Sequence, residues 1–184
     1  VTTAFLVLMG YLFSLILYMS REASLRFVFS NVTVVLLLIA PVLTMRLLAE
    51  EKRTGTIELL LTLPVRDWEV VVGKYLGAMG LWLVMLSLTM FYPLVIKLFG
   101  GNLDPGPVFT GYFGLILMGG ALLSIGVLTS AITSNQIVSA VVGFVILLML
   151  WLSDSLRNVL SGAAGDVAVY LSGNAHYTDF TRGV

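Results

Sequence analysis

The sequence predicts an all-α integral membrane protein, a polytopic bundle of helices. Of its 184 residues, 59% are hydrophobic and 11% are charged, and the mean hydropathy is +1.03. A soluble domain has about a quarter of its residues charged, so this composition is typical of a protein embedded in lipid. The apolar residues also fall into five long stretches separated by shorter polar ones.

Each apolar stretch is long enough, or nearly so, to cross a bilayer as a helix. Crossing about 30 Å of hydrocarbon at about 1.5 Å per residue requires about 20 residues. A helix also pairs its own backbone polar groups, which lipid cannot do. The predicted spans cover about residues 3–19, 31–49, 75–99, 109–132 and 136–153.

Two spans contain proline. Pro93 predicts that the third span tilts, kinks or begins in the cytoplasm. Pro41 predicts either a bend in the second span or accommodation by neighbouring helices. In the fourth span a set of glycines predicts a small-residue surface that lets helices approach closely in lipid: Gly111, Gly114, Gly119, Gly120 and Gly126.

Charge gathers in the loop between the second and third spans, residues 50–74. The segment 46–74 contains five of the ten Lys and Arg residues and five of the ten Asp and Glu residues. Dense basic residues favour the cytoplasmic side of a membrane, so we place this loop in the cytoplasm and residues 154–184 on the other side. Because the formal net charge is zero, nothing indicates a nucleic-acid partner.

The order of residues in this loop predicts its local structure. The second helix extends into water until Gly55 breaks it, and Thr56 can cap a short helix that ends at Pro64. Asp67 can cap the helix that follows. The short helix is apolar nearly all round, so its leucines must be buried against another surface. Either the loop packs on the membrane or on the protein itself, or it fits a groove on a partner.

Familiar catalytic motifs are absent from the sequence. There is no Gly-x-x-x-x-Gly-Lys-Ser/Thr phosphate loop and no cysteine, so we expect no enzyme, with ATP handled by another chain. A membrane enzyme or assembly subunit would have to use His176, Asp166 and Asp179. A secondary carrier or channel is the other alternative, but its ion relay would need a row of ionisable residues that the predicted spans lack.

The run Glu51–Val65, followed by Gly73 and Lys74, closely resembles the cytoplasmic loop of permease subunits of type-2 ABC exporters. The likeness is to the gliding-motility and nitrous-oxide-reductase-maturation branch. It continues through Ser130–Gln136 and through Ala175–Gly183, which resembles the stretch before the last span of the family.

The resemblance implies a six-helix permease that forms the translocation path of an exporter in a bacterial or archaeal cytoplasmic membrane. It implies a homodimer or a similar heterodimer, with two separate ABC ATPase subunits that bind ATP and Mg²⁺, and no cofactor on this chain. A coupling helix between spans two and three docks into the ATPase. The matching positions are Glu51, Arg53, Gly55, Thr56, Glu58, Leu59, Leu60, Pro64 and Lys74.

Two departures from the family pattern stand out. Arg66 occupies the position of a small capping residue, which leaves the start of the next helix open. The chain stops at Val184, where a sixth span would begin, and it starts with Val1 inside an apolar stretch. We therefore expect five of six spans in a partly recorded subunit whose substrate the sequence does not reveal.

Overall fold

The computed structural model describes residues 1–20, 25–57, 66–98 and 105–156, which are helical apart from short turns. The all-α prediction is confirmed for this part of the chain. The helices are α1 (Thr2–Ser20), α2 (Leu25–Thr44), α3 (Ala49–Thr54), α4 (Asp67–Thr89), α5 (Phe91–Leu98), α6 (Pro105–Ile132) and α7 (Gln136–Leu156).

Within the described residues, three helical stretches are long and apolar enough to cross a membrane. They are Val28–Thr54, Asp67–Leu98 and Pro105–Ile132, judged by length and composition alone. Two shorter apolar helices, Thr2–Leu15 and Gln136–Leu152, accompany them. The five predicted membrane spans therefore correspond to helices, while their boundaries in a bilayer stay a prediction.

Helix α6 lies at the centre of the bundle, where it packs against α2, α4 and α7. The direction of the helices follows from ring contacts between α1 and the α4–α5 pair. Phe5 meets Trp82 edge to face at 5.9 Å between centroids, and Phe13 stacks on Tyr92 at 4.5 Å. These contacts make α1 parallel to α4–α5. Residues 45–57, 66–74 and 130–136 gather at one end of the bundle, which we name the loop end.

Glycines on α6 accept large side chains from neighbouring helices. A Cβ atom added at Gly111 would collide with the Phe29 ring of α2, and one added at Gly119 would collide with the Trp82 indole of α4. At Gly126 the added atom would collide with Thr44 at the end of α2. The predicted small-residue surface is therefore confirmed, and it is the seam along which α2 and α4 approach α6.

Helix α2 ends earlier than the apolar pattern predicts. We expected the second span to continue to Ala49, but α2 stops at Thr44, and residues 45–48 form a turn before α3. The hydroxyl of Thr44 donates to the carbonyl of Ala40 at 2.8 Å. The break cannot be seen in the apolar pattern because the turn residues Leu47 and Leu48 are themselves apolar. Their backbone polar groups find partners outside a regular helix.

The third predicted span is two helices, broken at Met90. Pro93 has no N–H, so the carbonyl of Thr89, four residues earlier, loses its helical donor. The Tyr112 hydroxyl of α6 donates to this carbonyl at 2.9 Å, and both residues are buried. The helix is thus interrupted close to Pro93, and a neighbouring helix satisfies the backbone group that the proline leaves unpaired.

Candidate functional site

The candidate site is the loop end, where α3 projects from the end of α2. Helix α3 contains only six residues, with Glu50 and Glu51 in its first turn and Lys52 and Arg53 in its last. So short a helix is unstable alone, because nucleation is costly and few hydrogen bonds follow it. Its position must come from contacts with the rest of the bundle.

The first of these contacts is a hydrogen-bond cap supplied by another helix. Leu48 occupies the N-cap position of α3 and has no polar side chain with which to cap it. Instead, the Ser130 hydroxyl of α6 accepts hydrogen bonds from the backbone N–H groups of Leu48 and Ala49 at 3.1 and 3.0 Å. An unpaired buried N–H costs about 1–3 kcal/mol, so this hydroxyl stabilises the start of α3.

The second contact joins the last turn of α3 to the end of α6. The ammonium group of Lys52 donates to the carbonyl of Ala131. That carbonyl lies in the last turn of α6, where helix carbonyls lack helical donors and a cation is favourable. Lys52 and Ser130 together hold both ends of α3 against one helix.

The third contact is an ion pair between α3 and α4. Lys74 Nζ lies 2.5 Å from Glu51 Oε1, and each side chain is 22% exposed. The other oxygen, Glu51 Oε2, is buried and has no hydrogen-bond partner among the described residues. Glu51 therefore faces the bundle, and the family-matched pair Glu51 and Lys74 links the loop to the start of the third span.

Helix α3 ends as the sequence predicts. Gly55 follows it with φ of 75°, in the left-handed region that glycine enters without steric cost. The hydroxyl of Thr56 lies 2.9 Å from that of Thr54 and 3.4 Å from the carbonyl of Glu51. Thr56 thus reaches back to α3, and its predicted cap on the next helix involves residues outside those described.

Arg66 occupies the N-cap position of α4, and the prediction that Asp67 caps this helix is wrong. Arg66 has an extended backbone, and Asp67 is the first helical residue. The Glu69 carboxylate accepts the Arg66 N–H at 3.1 Å, which is one half of a capping box. The family pattern has a small capping residue at position 66. In this chain Glu69, three residues later, supplies the hydrogen bond at the start of α4 instead.

Between α3, α4 and the end of α6 lies a cleft of about 260 Å³. Apolar side chains form much of its wall, with three charged residues beside them. The lining residues are Leu48, Glu51, Lys52, Ile57, Asp67, Val70, Val71 and Ala131. Its size and apolar wall suit one or two apolar side chains, while its charged residues offer hydrogen-bond partners at the same place.

The predicted coupling residues divide into three groups. Glu51 and Lys74 are brought together and partly buried, whereas Arg53, Gly55 and Thr56 are exposed. The predictions for Glu58, Leu59, Leu60 and Pro64 lie outside the described residues. Reasoning from the sequence missed the roles of Lys52 and Ser130. Ser130 opens the second family-like stretch, which was the available signal.

Acidic and histidine side chains do not gather into a metal site in the described part of the chain. Across residues 1–20, 25–57, 66–98 and 105–156, no three His, Asp or Glu side chains cluster closely enough to hold a metal ion. His176, Asp166 and Asp179, the residues of the enzyme alternative, lie outside the described residues, so that alternative is untested.

The comparison with known families decides the class of protein. The family model described as ABC-2 family transporter protein matches residues 2–171, which includes every helix described above. The chain belongs to this family. It is therefore a membrane permease of the ABC transporter type and a multi-pass membrane protein. No curated protein matches the chain, and no solved structure does.

At the loop end of this ABC-2 permease, polar groups join α3 to two other helices. The backbone of α3 and its side chains Glu51 and Lys52 contact α6 and α4 through polar groups, while Arg53, Gly55 and Thr56 face outward. An exposed surface is thus attached to two helices of the bundle.

Proposed function

We propose that this permease is the membrane-spanning subunit of an ATP-driven exporter and that it couples to a separate ABC ATPase through residues 50–74. The observation that carries the proposal is the attachment of α3 to both α6 and α4, with its outer side exposed. ATP and Mg²⁺ bind the ATPase partner, and this chain contributes the path.

The proposed mechanism follows from the rigidity of these contacts. When ATP closes the ATPase pair, the exposed side of α3 and the segment after Gly55 move with it. Glu51 and Lys52 transmit that displacement to α4 and α6, which shift as rigid bodies. Two permease copies with the same surface in contact enclose the path, in a homodimer or a similar heterodimer.

The narrower family placement is also part of the proposal. The motif Glu51–Val65 with Gly73 and Lys74 favours the gliding-motility and nitrous-oxide-reductase-maturation branch. That branch implies a bacterial or archaeal cytoplasmic membrane, with the loop end in the cytoplasm. The dense basic residues of segment 46–74 support the same orientation.

The test is co-purification of the full-length subunit, tagged and extracted from its own cells in mild detergent. We expect an ATP-binding chain with a phosphate loop, identified by mass spectrometry, and two copies of each subunit by mass photometry. Recovery of the intact permease without any ATP-binding chain, in several detergents and in nanodiscs, would show that the coupling proposal is wrong.

Charge reversal locates the docking surface. Arg53→Glu changes an exposed side chain of α3 and should lower ATPase recovery at least about tenfold, equal to about 1.4 kcal/mol. The matched control is Lys97→Glu, an exposed cation on α5 at the opposite end of the bundle. Equal recovery in both variants would place the ATPase contact elsewhere on the molecule.

A further inference from the structure

Ser130 is a buried polar residue whose contacts exceed those of an ordinary helix serine. Its side chain is 0% exposed, and its hydroxyl makes three hydrogen bonds with the turn between α2 and α3. It accepts from the N–H groups of Leu48 and Ala49 and donates to the carbonyl of Met45 at 3.2 Å. A serine in a helix more often donates to a carbonyl of its own helix.

Residues next to Ser130 on α6 also contact the end of α2 and helix α3. Gly126 lies one turn earlier on α6, and a Cβ there would collide with Thr44, the last residue of α2. The Ala131 carbonyl, next to Ser130, accepts from Lys52. One face of α6 thus touches the end of α2, the turn after it and both ends of α3.

Helix α3 is therefore connected to the bundle by side-chain hydrogen bonds as well as by the polypeptide chain itself. Helix α3 continues from α2 and leads to α4, so a displacement could pass along the backbone in both directions. Helix α6 is more than 50 residues away along the chain. It is linked to α3 through the Ser130 hydroxyl and the Lys52 ammonium group.

We infer that Ser130 is a positioning residue of the coupling apparatus. It fixes the direction of α3 and carries its displacement into α6 independently of α2 and α4. The transmission of movement rests on the proposed function. The position of α3 rests on the three hydrogen bonds of the Ser130 hydroxyl. Because α6 packs against α2, α4 and α7, a displacement that enters through Ser130 reaches the centre of the bundle directly.

The position is tested on the full-length permease without any partner. The 184 residues contain no cysteine, so cysteines can be introduced for spin labels. One pair, Arg53→Cys with Phe109→Cys, measures α3 against the far end of α6. The control pair, Leu76→Cys with Phe109→Cys, measures α4 against α6. All three positions are exposed.

Ser130→Ala should shift and broaden the distance distribution of the α3 pair and leave that of the control pair unchanged. Ser130→Thr keeps the hydroxyl and should restore the parent distribution. An unchanged α3 pair in Ser130→Ala would overturn the inference, because the hydroxyl would not be positioning α3. A change in both pairs would also overturn it, because Ser130 would then act on the whole bundle.

The transmission is tested by amide hydrogen exchange on the purified complex, with and without ATP and vanadate. In the unmodified complex, trapping should change exchange at the loop ends of both α4 and α6. In Ser130→Ala the change at α6 should become smaller, since only Lys52 then links α3 to α6, while the change at α4 persists. An equally large change at α6 in both complexes would overturn the Ser130 route. A permease that recovers no ATPase overturns the proposed function, and with it the transmission, whereas the spin-label result still decides the position.

Discussion

The middle of the bundle and its loop end are held together by different kinds of contact. In the middle, α6 offers glycines into which Phe29 and Trp82 fit, so helices approach closely and the fit depends on shape. At the loop end, α3 is attached through a hydroxyl, an ammonium group and a carboxylate. Shape-dependent packing is lost when a side chain changes size, whereas a polar contact is lost when its donor or acceptor is removed.

This difference separates the contacts that pack the helices from the contacts that position α3. In lipid, apolar helices gain little from hiding apolar surface, so close packing and hydrogen bonds decide their association. The glycine seam packs α2 and α4 closely against α6. The loop end adds polar links from α3 to α4 and α6.

The largest expected effect comes from filling the glycine seam. Gly119→Ala introduces a Cβ that collides with the Trp82 indole, and overpacking of this kind costs about 1–3 kcal/mol. We expect a lower free energy of unfolding, measured by SDS titration of the permease in mixed micelles. The Trp82 N–H donates to the Leu115 carbonyl at 3.2 Å, so the collision also disturbs a hydrogen bond.

Gly77→Ala is the matched control for this prediction. No described atom lies within 4 Å of a Cβ at Gly77 on α4, so alanine should be neutral or stabilising by up to about 1 kcal/mol. Equal destabilisation by both variants would mean that glycine matters for the backbone and not for the fit. The seam would then lose its special role in the comparison.

An intermediate effect is expected at a hydrogen bond inside the packed region, the one that Tyr112 donates to Thr89. Tyr112→Phe removes the donor to the Thr89 carbonyl and should cost about 1 kcal/mol. In the background of Pro93→Ala, residue 93 regains an N–H that can pair with this carbonyl. The same Tyr112→Phe change should then cost less, as the same SDS titration can measure in a double-mutant cycle.

The double-mutant cycle isolates the hydrogen bond from the Tyr112 hydroxyl to the Thr89 carbonyl from the packing of the Tyr112 ring. If Tyr112→Phe costs the same with proline and with alanine at residue 93, the hydroxyl does not replace the missing helical donor. The break at Met90 would then need another physical reason.

The smallest effect is expected at the ion pair of the loop end. Lys74→Met should change the free energy of unfolding by only about 0.2–1 kcal/mol, because a partly exposed pair gains little over its hydration. The exchange of charges in Glu51→Lys with Lys74→Glu should recover most of this loss. A cost above that of Gly119→Ala would mean that the loop end, and not the seam, holds the bundle together.

The features that could be predicted from the sequence are those that depend on local patterns of residues. The apolar stretches predicted the helices, the glycines of α6 predicted its close contacts, and Pro93 indicated an irregularity in the third span, which is interrupted at Met90. Gly55 predicted the end of α3. Each of these depends on residues a few positions apart, or on a property that one residue type possesses alone.

The remaining features depend on how distant segments meet. Ser130 lies 82 residues from Leu48, so no local pattern could pair them. Glu50 and Glu51 are adjacent, and only the rotation of α3 decides which one faces Lys74. The break after Thr44 was missed because its turn is as apolar as the helix before it, and its polar contacts come from other parts of the chain.

Gly55 has one further consequence. No described atom lies within 4 Å of a Cβ built at Gly55, so the cost of another L-residue there comes from the left-handed backbone, at about 1–2 kcal/mol. A mirror-image D-alanine would fit the same torsion angles without that cost. The direction in which the chain leaves α3 therefore depends on the chirality of the residue at position 55.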